Sequence, residues 1–144
     1  MEFNVLKGKL THQEIRGLNP LVLAYIGDAV YEVFVRTYIV SENKNVKVHG
    51  LHKLSINLVK AEGQSNMMKC ILDELNENEI YIFKRGRNAK SGTVPKHADL
   101  MDYRMATGFE ALIGYLYLIE DMDRLNYILE TSLSLYKEKI NNEK

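Results

Sequence analysis

The chain has almost no cysteine and no long apolar run, and these absences argue against a disulfide-stabilised protein and a membrane-spanning protein. Cys70 is the only cysteine among 144 residues, so an internal disulfide is impossible, as is typical of proteins from the reducing cytoplasm. The longest apolar-rich run, residues 111–119, is far shorter than the ~18 residues of a membrane helix. The N-terminus also lacks the charged-then-apolar pattern of a secretory signal. We therefore expect a cytoplasmic protein with no membrane partner.

Charge and histidine content are equally uninformative about function. The 19 basic and 19 acidic residues cancel, so composition alone does not indicate nucleic-acid binding. The four histidines are His12, His49, His52 and His97. They form no nucleophile or zinc constellation, because two histidines three residues apart are a poor metal signal on their own.

Helical periodicity predicts one all-α domain spanning residues 1–144, with an ordered core at roughly 10–138. Thr11 and Glu14 have the spacing of a capping box. Helical patterns cover residues 49–62, 65–75 and 123–139. Residues 76–83 fit a helix or a strand and are interpreted as a helix, and the tail at 137–144 is expected to fray.

The segment from Asn19 to Glu32 places one acid in an otherwise apolar helix. Asn19 can cap this helix, and Pro20 suits its first position, where no backbone donor is needed. Apolar residues flank Asp28 on nearly every side, so we expect its carboxylate to be buried. An unpaired buried carboxylate is costly, so it is normally paired or bound to a metal. An ion pair and a ligand role are both compatible with this pattern.

A second segment, residues 103–119, repeats the pattern with Glu110 at its centre. Its small residues are Ala106, Gly108, Ala111 and Gly114. Glycine lowers helix propensity and is tolerated where another helix or a substrate must come close. Two buried helices that each offer one acid are how helical proteins build carboxylate metal centres. Mg²⁺ prefers such oxygen ligands and keeps several waters.

Three motifs in order resemble one known family. They are Gly27-Asp28-Ala29-Val30, the basic run 83–91 followed by Pro95-Lys96 and Asp102-Tyr103-Arg104, and the segment 109–114. Their order and separation resemble the ribonuclease III catalytic domain, and more closely its short Mini-ribonuclease III form. The resemblance covers roughly residues 15–136.

The resemblance implies a helical bundle of the ribonuclease III type and a metal-dependent endonuclease for double-stranded RNA. It assigns Asp28 and Glu110 as the catalytic and metal-binding acids, with Mg²⁺ as the cofactor and Mn²⁺ as a substitute. It further implies 5′-phosphate and 3′-hydroxyl ends and maturation of the large-subunit (23S) ribosomal RNA precursor. A homodimer and a ribosomal protein are the partners expected besides the RNA. We expect no separate double-stranded-RNA-binding domain, because the stretch after Ile119 is too short for one.

Two positions depart from the larger ribonuclease III enzymes. Leu21 stands where those enzymes carry a glutamate, and Thr107 stands where they carry an aspartate. Only two local carboxylates remain, which predicts weak, water-rich Mg²⁺ binding. The departures also leave a second function open, a dimeric duplex-RNA-binding factor of ribosome assembly with weak or lost cleavage.

A basic stretch precedes the Glu110 helix. It contains Lys84, Arg85, Arg87, Lys90 and Lys96 and no acid. Its interspersed Gly, Asn, Ser and Pro residues predict a loop. We predict that the five basic side chains contact RNA phosphates. An ordinary solvated loop is the alternative.

Three further acids lie near these motifs and are not assigned to the site. Glu32 precedes Arg36 by four residues, so we expect an ion pair between them. Asp99 and Asp102 lie near the start of the second helix, where acids are favoured by its dipole.

The two motif helices also carry more apolar surface than a small domain buries alone. This predicts a two-fold homodimer with one site per subunit.

Overall fold

The computed structural model describes residues 3–90, 94, 96 and 99–143. Within them the chain forms seven α-helices, which are α1 (His12–Arg16), α2 (Pro20–Glu42), α3 (Val48–Val59), α4 (Ala61–Ile71), α5 (Glu77–Asn88), α6 (Leu100–Leu118) and α7 (Met122–Asn142). Short 3₁₀ turns cover Asn4–Leu6 and Leu72–Glu74. The described residues include no strand, so the all-α prediction is confirmed.

Helix α6 forms the centre of the molecule. It packs against α2, α4, α5 and α7, and its residues are buried almost without interruption from Met105 to Leu116. A helix that is apolar all round is stable only when it is covered on all sides. On its α2 side, the Phe109 ring meets the Tyr31 ring edge-on at a centroid distance of 5.4 Å.

Helices α2 and α6 cross at two glycines. A Cβ atom added to Gly27 would overlap the backbone carbonyl of Glu110, and one added to Gly114 would overlap the carbonyl of Leu23. The two backbones are therefore in direct contact, as the small residues of the second segment predict. This contact places Asp28, which follows Gly27, beside Glu110.

The predicted helix starts are confirmed. Asn19 accepts a hydrogen bond from the Leu21 backbone N–H at 2.9 Å, and Pro20 is the first residue of α2. Thr11 and Glu14 form the reciprocal capping box of α1. Both devices satisfy backbone donors that have no partner inside the helix.

The segment from 76 onward is a helix, but it continues through Asn88, so the predicted loop is wrong for residues 84–88. The misleading residue is Gly86. A Cβ added there would lie 2.8 Å from the Ala111 Cβ and 2.9 Å from the Gly108 Cα. This glycine therefore permits close packing of α5 on α6, and it does not mark a turn.

Two other boundaries differ from the predictions. The helical pattern of residues 49–62 is broken at Lys60, whose extended backbone (ψ of 159°) ends α3 and starts α4. The C-terminal helix α7 extends to Asn142, so the predicted fraying from 137 is wrong for residues 137–142.

Candidate active site

Asp28 is exposed, and the prediction that it is buried is wrong. Helix α6 covers one side of α2, while the outward side remains open although it is apolar. Tyr25 on this side is 78% exposed, and Ala29 is exposed as well. The Asp28 carboxylate can therefore reach both solvent and a bound macromolecule.

Glu110 lies at the same crossing and contacts Asp28. Its side chain is partly buried, and the two carboxyl groups are hydrogen-bonded to each other. Burial, together with the hydrogen bond and the charge of Asp28, raises the pKa of Glu110 to about 9. The pair therefore holds one proton at neutral pH, because two adjacent carboxylates cannot both ionise without a cation.

The site fits a hard divalent cation that keeps most of its waters. A proton retained between two carboxylates marks a position where a cation would be favoured in its place. Within the described part of the chain, no group of three or more His, Cys, Asp or Glu side chains could hold a metal. Asp28 and Glu110 therefore offer only two charged ligands, which matches the preference of Mg²⁺ for a few carboxylates and several waters.

Gln64 is a residue of the site that sequence reasoning missed. It is 4% exposed, and its amide lowers the pKa of the Glu110 carboxyl, against the stronger effects that raise it. The Gln64 Nε2 also donates to the Val59 carbonyl at 2.8 Å. The sequence pattern of α4 did not predict the burial of Gln64, because the buried face of this helix also includes the small or polar residues Gly63 and Ser65.

The end of α3 is attached to the site by two side chains. Besides Gln64, the Tyr31 hydroxyl donates to the Leu58 carbonyl at 2.8 Å. Burial raises the pKa of this phenol above its ordinary value. Helix α3 therefore ends beside the carboxylate pair.

Leu21 and Thr107 stand at the two positions where the larger ribonuclease III enzymes are expected to carry acids, and neither side chain is charged. Thr107 is buried, and its hydroxyl donates to the Tyr103 carbonyl at 2.9 Å, one turn earlier in α6. Leu21 is half-buried in the first turn of α2.

The five basic residues predicted to bind RNA fall into two groups. Lys84, Lys90 and Lys96 are exposed. Arg85 donates to the backbone carbonyls of Arg16 at 2.8 Å and Leu18 at 3.1 Å. Residues 91–93 and 95 of the predicted loop lie outside the described residues.

Arg87 is half-buried, and its guanidinium lies 5.6 Å from the centre of the Phe83 ring. Arg85 and Arg87 therefore make packing contacts within the fold, and the three lysines point into solvent.

A second basic surface lies on α3. Residues 43–61 contain no acid. Their exposed basic or imidazole side chains are Lys44, Lys47, His49, His52, Lys53 and Lys60. His49, His52, Lys53 and Ile56 have the i, i+3, i+4, i+7 spacing that places them on one helical face. The absence of acids over this stretch is the sequence signal that could have identified it.

The remaining acids behave as predicted. Glu32 pairs with Arg36 at 2.8 Å on the surface of α2. Asp99 caps α6 by accepting from the Asp102 backbone N–H at 3.0 Å. Among the described residues, no helix is long and apolar enough to cross a membrane.

Comparison with known proteins agrees with this geometry. The Ribonuclease III domain model matches residues 21–121, which include both carboxylates. Mini-ribonuclease 3 of Clostridium tetani is 55% identical over 135 residues, covering 94% of this chain and 89% of that protein. Mini-ribonuclease 3 of a Thermoanaerobacter species is 50% identical over 129 residues, covering 90% of each.

A solved structure has the same fold. The crystal structure of protein FN1578 from Fusobacterium nucleatum matches with a TM-score of 0.73 and 33% identity. The match covers 81% of this chain and 93% of that one. The domain match, the two relatives and the shared helical fold show that the chain belongs to the ribonuclease III family, within its Mini-ribonuclease 3 group.

Proposed function

We propose that this ribonuclease is an endonuclease that cleaves double-stranded RNA with Mg²⁺, using Asp28 and Glu110 as its metal-binding and catalytic carboxylates. The observation that carries the proposal is the contact between these two carboxyl groups at the glycine crossing of α2 and α6. Mn²⁺ would substitute, because it also accepts carboxylate and water ligands.

The two carboxylates have complementary surroundings. Asp28 is exposed and can approach the RNA backbone, whereas Glu110 is partly buried. A bound Mg²⁺ would supply Lewis-acid stabilisation of the charge that develops on the phosphodiester. The chain contributes the fixed separation of the two acids, because no side chain lies between the helices where they cross.

RNA binding is assigned to two groups of exposed cations. One group comprises the side chains of α3 and its preceding loop, including Lys47 and Lys53, and the other comprises Lys84, Lys90 and Lys96. Cations that track a phosphate backbone give salt-sensitive binding with little sequence preference. Arg85 and Arg87 shape this surface through their contacts with the fold.

A homodimer would complete the substrate surface. Val22, Tyr25 and Val33 on α2 are 46%, 78% and 45% exposed, which is unusual for such large apolar side chains along one helix. A symmetric contact through this surface would bury it and align two sites along one duplex. By family resemblance, we further propose the large-subunit (23S) ribosomal RNA precursor as the substrate and a ribosomal protein as an accessory partner.

Cleavage of an end-labelled RNA duplex tests the proposal. Asp28→Asn and Glu110→Gln should fold and bind duplex, yet lose metal-dependent cutting. Glu32→Gln is the matched control, because it removes an acid of α2 that pairs with Arg36 on the surface.

The absence of acids at Leu21 and Thr107 supports the alternative, a duplex-RNA-binding factor of ribosome assembly. Salt-sensitive binding by the wild-type protein without cutting, in Mg²⁺ and in Mn²⁺, would establish that alternative and reject the endonuclease.

A further inference from the structure

Gln64 joins three parts of the molecule. It lies in the first turn of α4, and its Nε2 donates to the Val59 carbonyl at the end of α3. The same amide lies near the Glu110 carboxyl of α6 and lowers the pKa of that carboxyl. An amide nitrogen has two hydrogens, so it can serve both acceptors.

A purely structural role does not account for this side chain. The Gln64 Oε1 is buried and has no hydrogen-bond partner among the described residues. Leaving such an oxygen unpaired costs about 1–3 kcal/mol. A methionine of similar length would fill the same space without this cost, and it would lose only the contacts of the amide hydrogens.

We propose that Gln64 is a positioning residue of the active site, whose amide, anchored on Val59, holds the Glu110 carboxylate against Asp28 so that one cation can contact both. This inference rests on the proposed function of the carboxylate pair. Gln64 acts through Glu110 and is not itself assigned to the reacting atoms.

The physical need for such a residue follows from the neighbouring charges. When both acids are ionised, Asp28 repels the Glu110 carboxylate, and the long Glu110 side chain can relieve this repulsion by rotating away. A hydrogen bond from a buried, anchored amide opposes that rotation. Loss of an outer-shell partner of this kind typically weakens metal affinity or activity by about 10- to 100-fold.

Gln64→Met tests the proposal, with Ser65→Ala as its matched control. Ser65 is the next residue on α4, is fully buried, and has a hydroxyl with no hydrogen-bond partner in the described part of the chain. Two readouts are required, namely the Mg²⁺ concentration that half-saturates duplex cleavage and the Mn²⁺ affinity of the RNA-free protein, measured by electron paramagnetic resonance.

We expect Gln64→Met to need about 10- to 100-fold more Mg²⁺ and to bind Mn²⁺ correspondingly more weakly. At saturating metal its kcat should recover, and its KM for RNA should equal that of the wild type. Ser65→Ala should match the wild type throughout. Unchanged metal affinity in Gln64→Met, with or without a loss of kcat, would overturn the positioning role.

The wild-type protein supplies a second test in case Gln64→Met does not fold. Mg²⁺ added to the RNA-free protein should shift the side-chain amide resonances of Gln64 in an NMR spectrum, and Glu110→Gln should abolish that shift. Gln64 amide resonances that do not shift when Mg²⁺ is added would reject the inference.

The two hypotheses fail separately. Loss of cleavage in Asp28→Asn and Glu110→Gln, combined with ordinary metal affinity in Gln64→Met, would reject only the role of Gln64. A wild-type protein that never cuts duplex would reject the endonuclease, and the Mn²⁺ and NMR readouts would still decide the role of Gln64.

Discussion

At the scale of single residues, the protein combines two acids of the same chemistry in different surroundings. Asp28 is exposed, and Glu110 is partly buried against it. Their contact destabilises the metal-free fold at neutral pH, because burial and repulsion both disfavour the second negative charge. Stability at this site is thus reduced in favour of an arrangement that suits a cation.

Glu110→Gln should stabilise the metal-free protein, and the gain should grow with pH. The pKa of Glu110 is raised to about 9 in the folded state, against about 4.3 in the unfolded chain. The folded state therefore binds an extra proton between these values, and wild-type stability falls as the pH rises through this window. Thermal unfolding in EDTA at pH 5 and pH 8 measures the effect.

The control for this prediction is Glu32→Gln, whose ion pair with Arg36 lies on the surface. Its difference from the wild type should change little over the same pH range. A Glu110→Gln variant that is no more stable than the wild type at pH 8 would contradict the raised pKa.

Arg85 and Lys84 are neighbours on α5 that should differ sharply in their effect on stability. Arg85 donates hydrogen bonds to the backbone carbonyls of Arg16 and Leu18. It thereby links α5 to the segment that connects α1 and α2. Arg85→Gln should cost about 1–2 kcal/mol of unfolding free energy, because charged hydrogen bonds to carbonyls are lost. Lys84→Gln should be nearly neutral for stability and should weaken RNA binding. Urea unfolding and duplex binding at two salt concentrations separate the two effects.

At the scale of helices, packing around α6 depends on small residues at its crossings. Gly27 and Gly114 bring α2 onto α6, while Gly86 and Gly108 bring α5 onto it. Glycine lowers the intrinsic stability of a helix by up to about 1 kcal/mol. Here that cost is offset by burial of the apolar faces that meet at each crossing.

Gly27→Ala should disrupt the α2–α6 crossing, since the new methyl group would overlap the Glu110 carbonyl oxygen. Overpacking usually costs about 1–3 kcal/mol, and we expect the upper end because rigid backbone is the obstacle. Gly17→Ala is the control, as its added Cβ would lie 3.6 Å from the nearest atom. Equal melting temperatures for the two variants would contradict the direct backbone contact.

The sequence predicts those features that follow from local chemistry. The caps at Thr11 and Asn19 and the buried α6 helix are confirmed in the structure. The sequence patterns that predict these features are short capping motifs and a strong apolar periodicity, and both depend on residues within one or two helical turns of each other.

The features that sequence did not predict depend on which partner covers which surface. Asp28 is exposed because α6 covers only one side of α2, and an all-round apolar pattern does not distinguish the sides. Gly86 indicated a loop because its need for close packing arises only from α6. Gln64 was missed because its neighbours belong to α3 and α6. Helix α6 is distant in sequence, and α3 is separated from Gln64 by the helix break at Lys60.

At the scale of the whole molecule, the apolar side of α2 that α6 leaves open carries the exposed residues Val22, Tyr25 and Val33. Tyr25 is the most exposed large apolar side chain of this helix, at 78%. It lies one turn before Asp28, so an interface through Tyr25 would set the distance between two carboxylate pairs. Oligomeric state and cutting of both strands are thereby coupled in the proposed dimer.

Tyr25→Asp should shift the protein towards monomers and slow duplex cleavage while leaving the fold intact, because Tyr25 contributes little to the core. Sedimentation velocity gives the oligomeric state, and circular dichroism gives the fold. Tyr127→Asp is the control, since Tyr127 is 43% exposed on a different helix, α7. A wild-type protein that sediments as a monomer at all concentrations would reject the dimer.

The glycine crossing also has a consequence for engineering. Because Gly27 and Gly114 leave no room for any side chain, libraries that vary these two positions should yield almost only inactive clones. Variation at exposed positions of α3, such as His49, His52 and Lys53, changes the second basic surface without altering the separation of the two carboxylates. Selections for altered RNA preference should therefore randomise α3 and leave the crossing invariant.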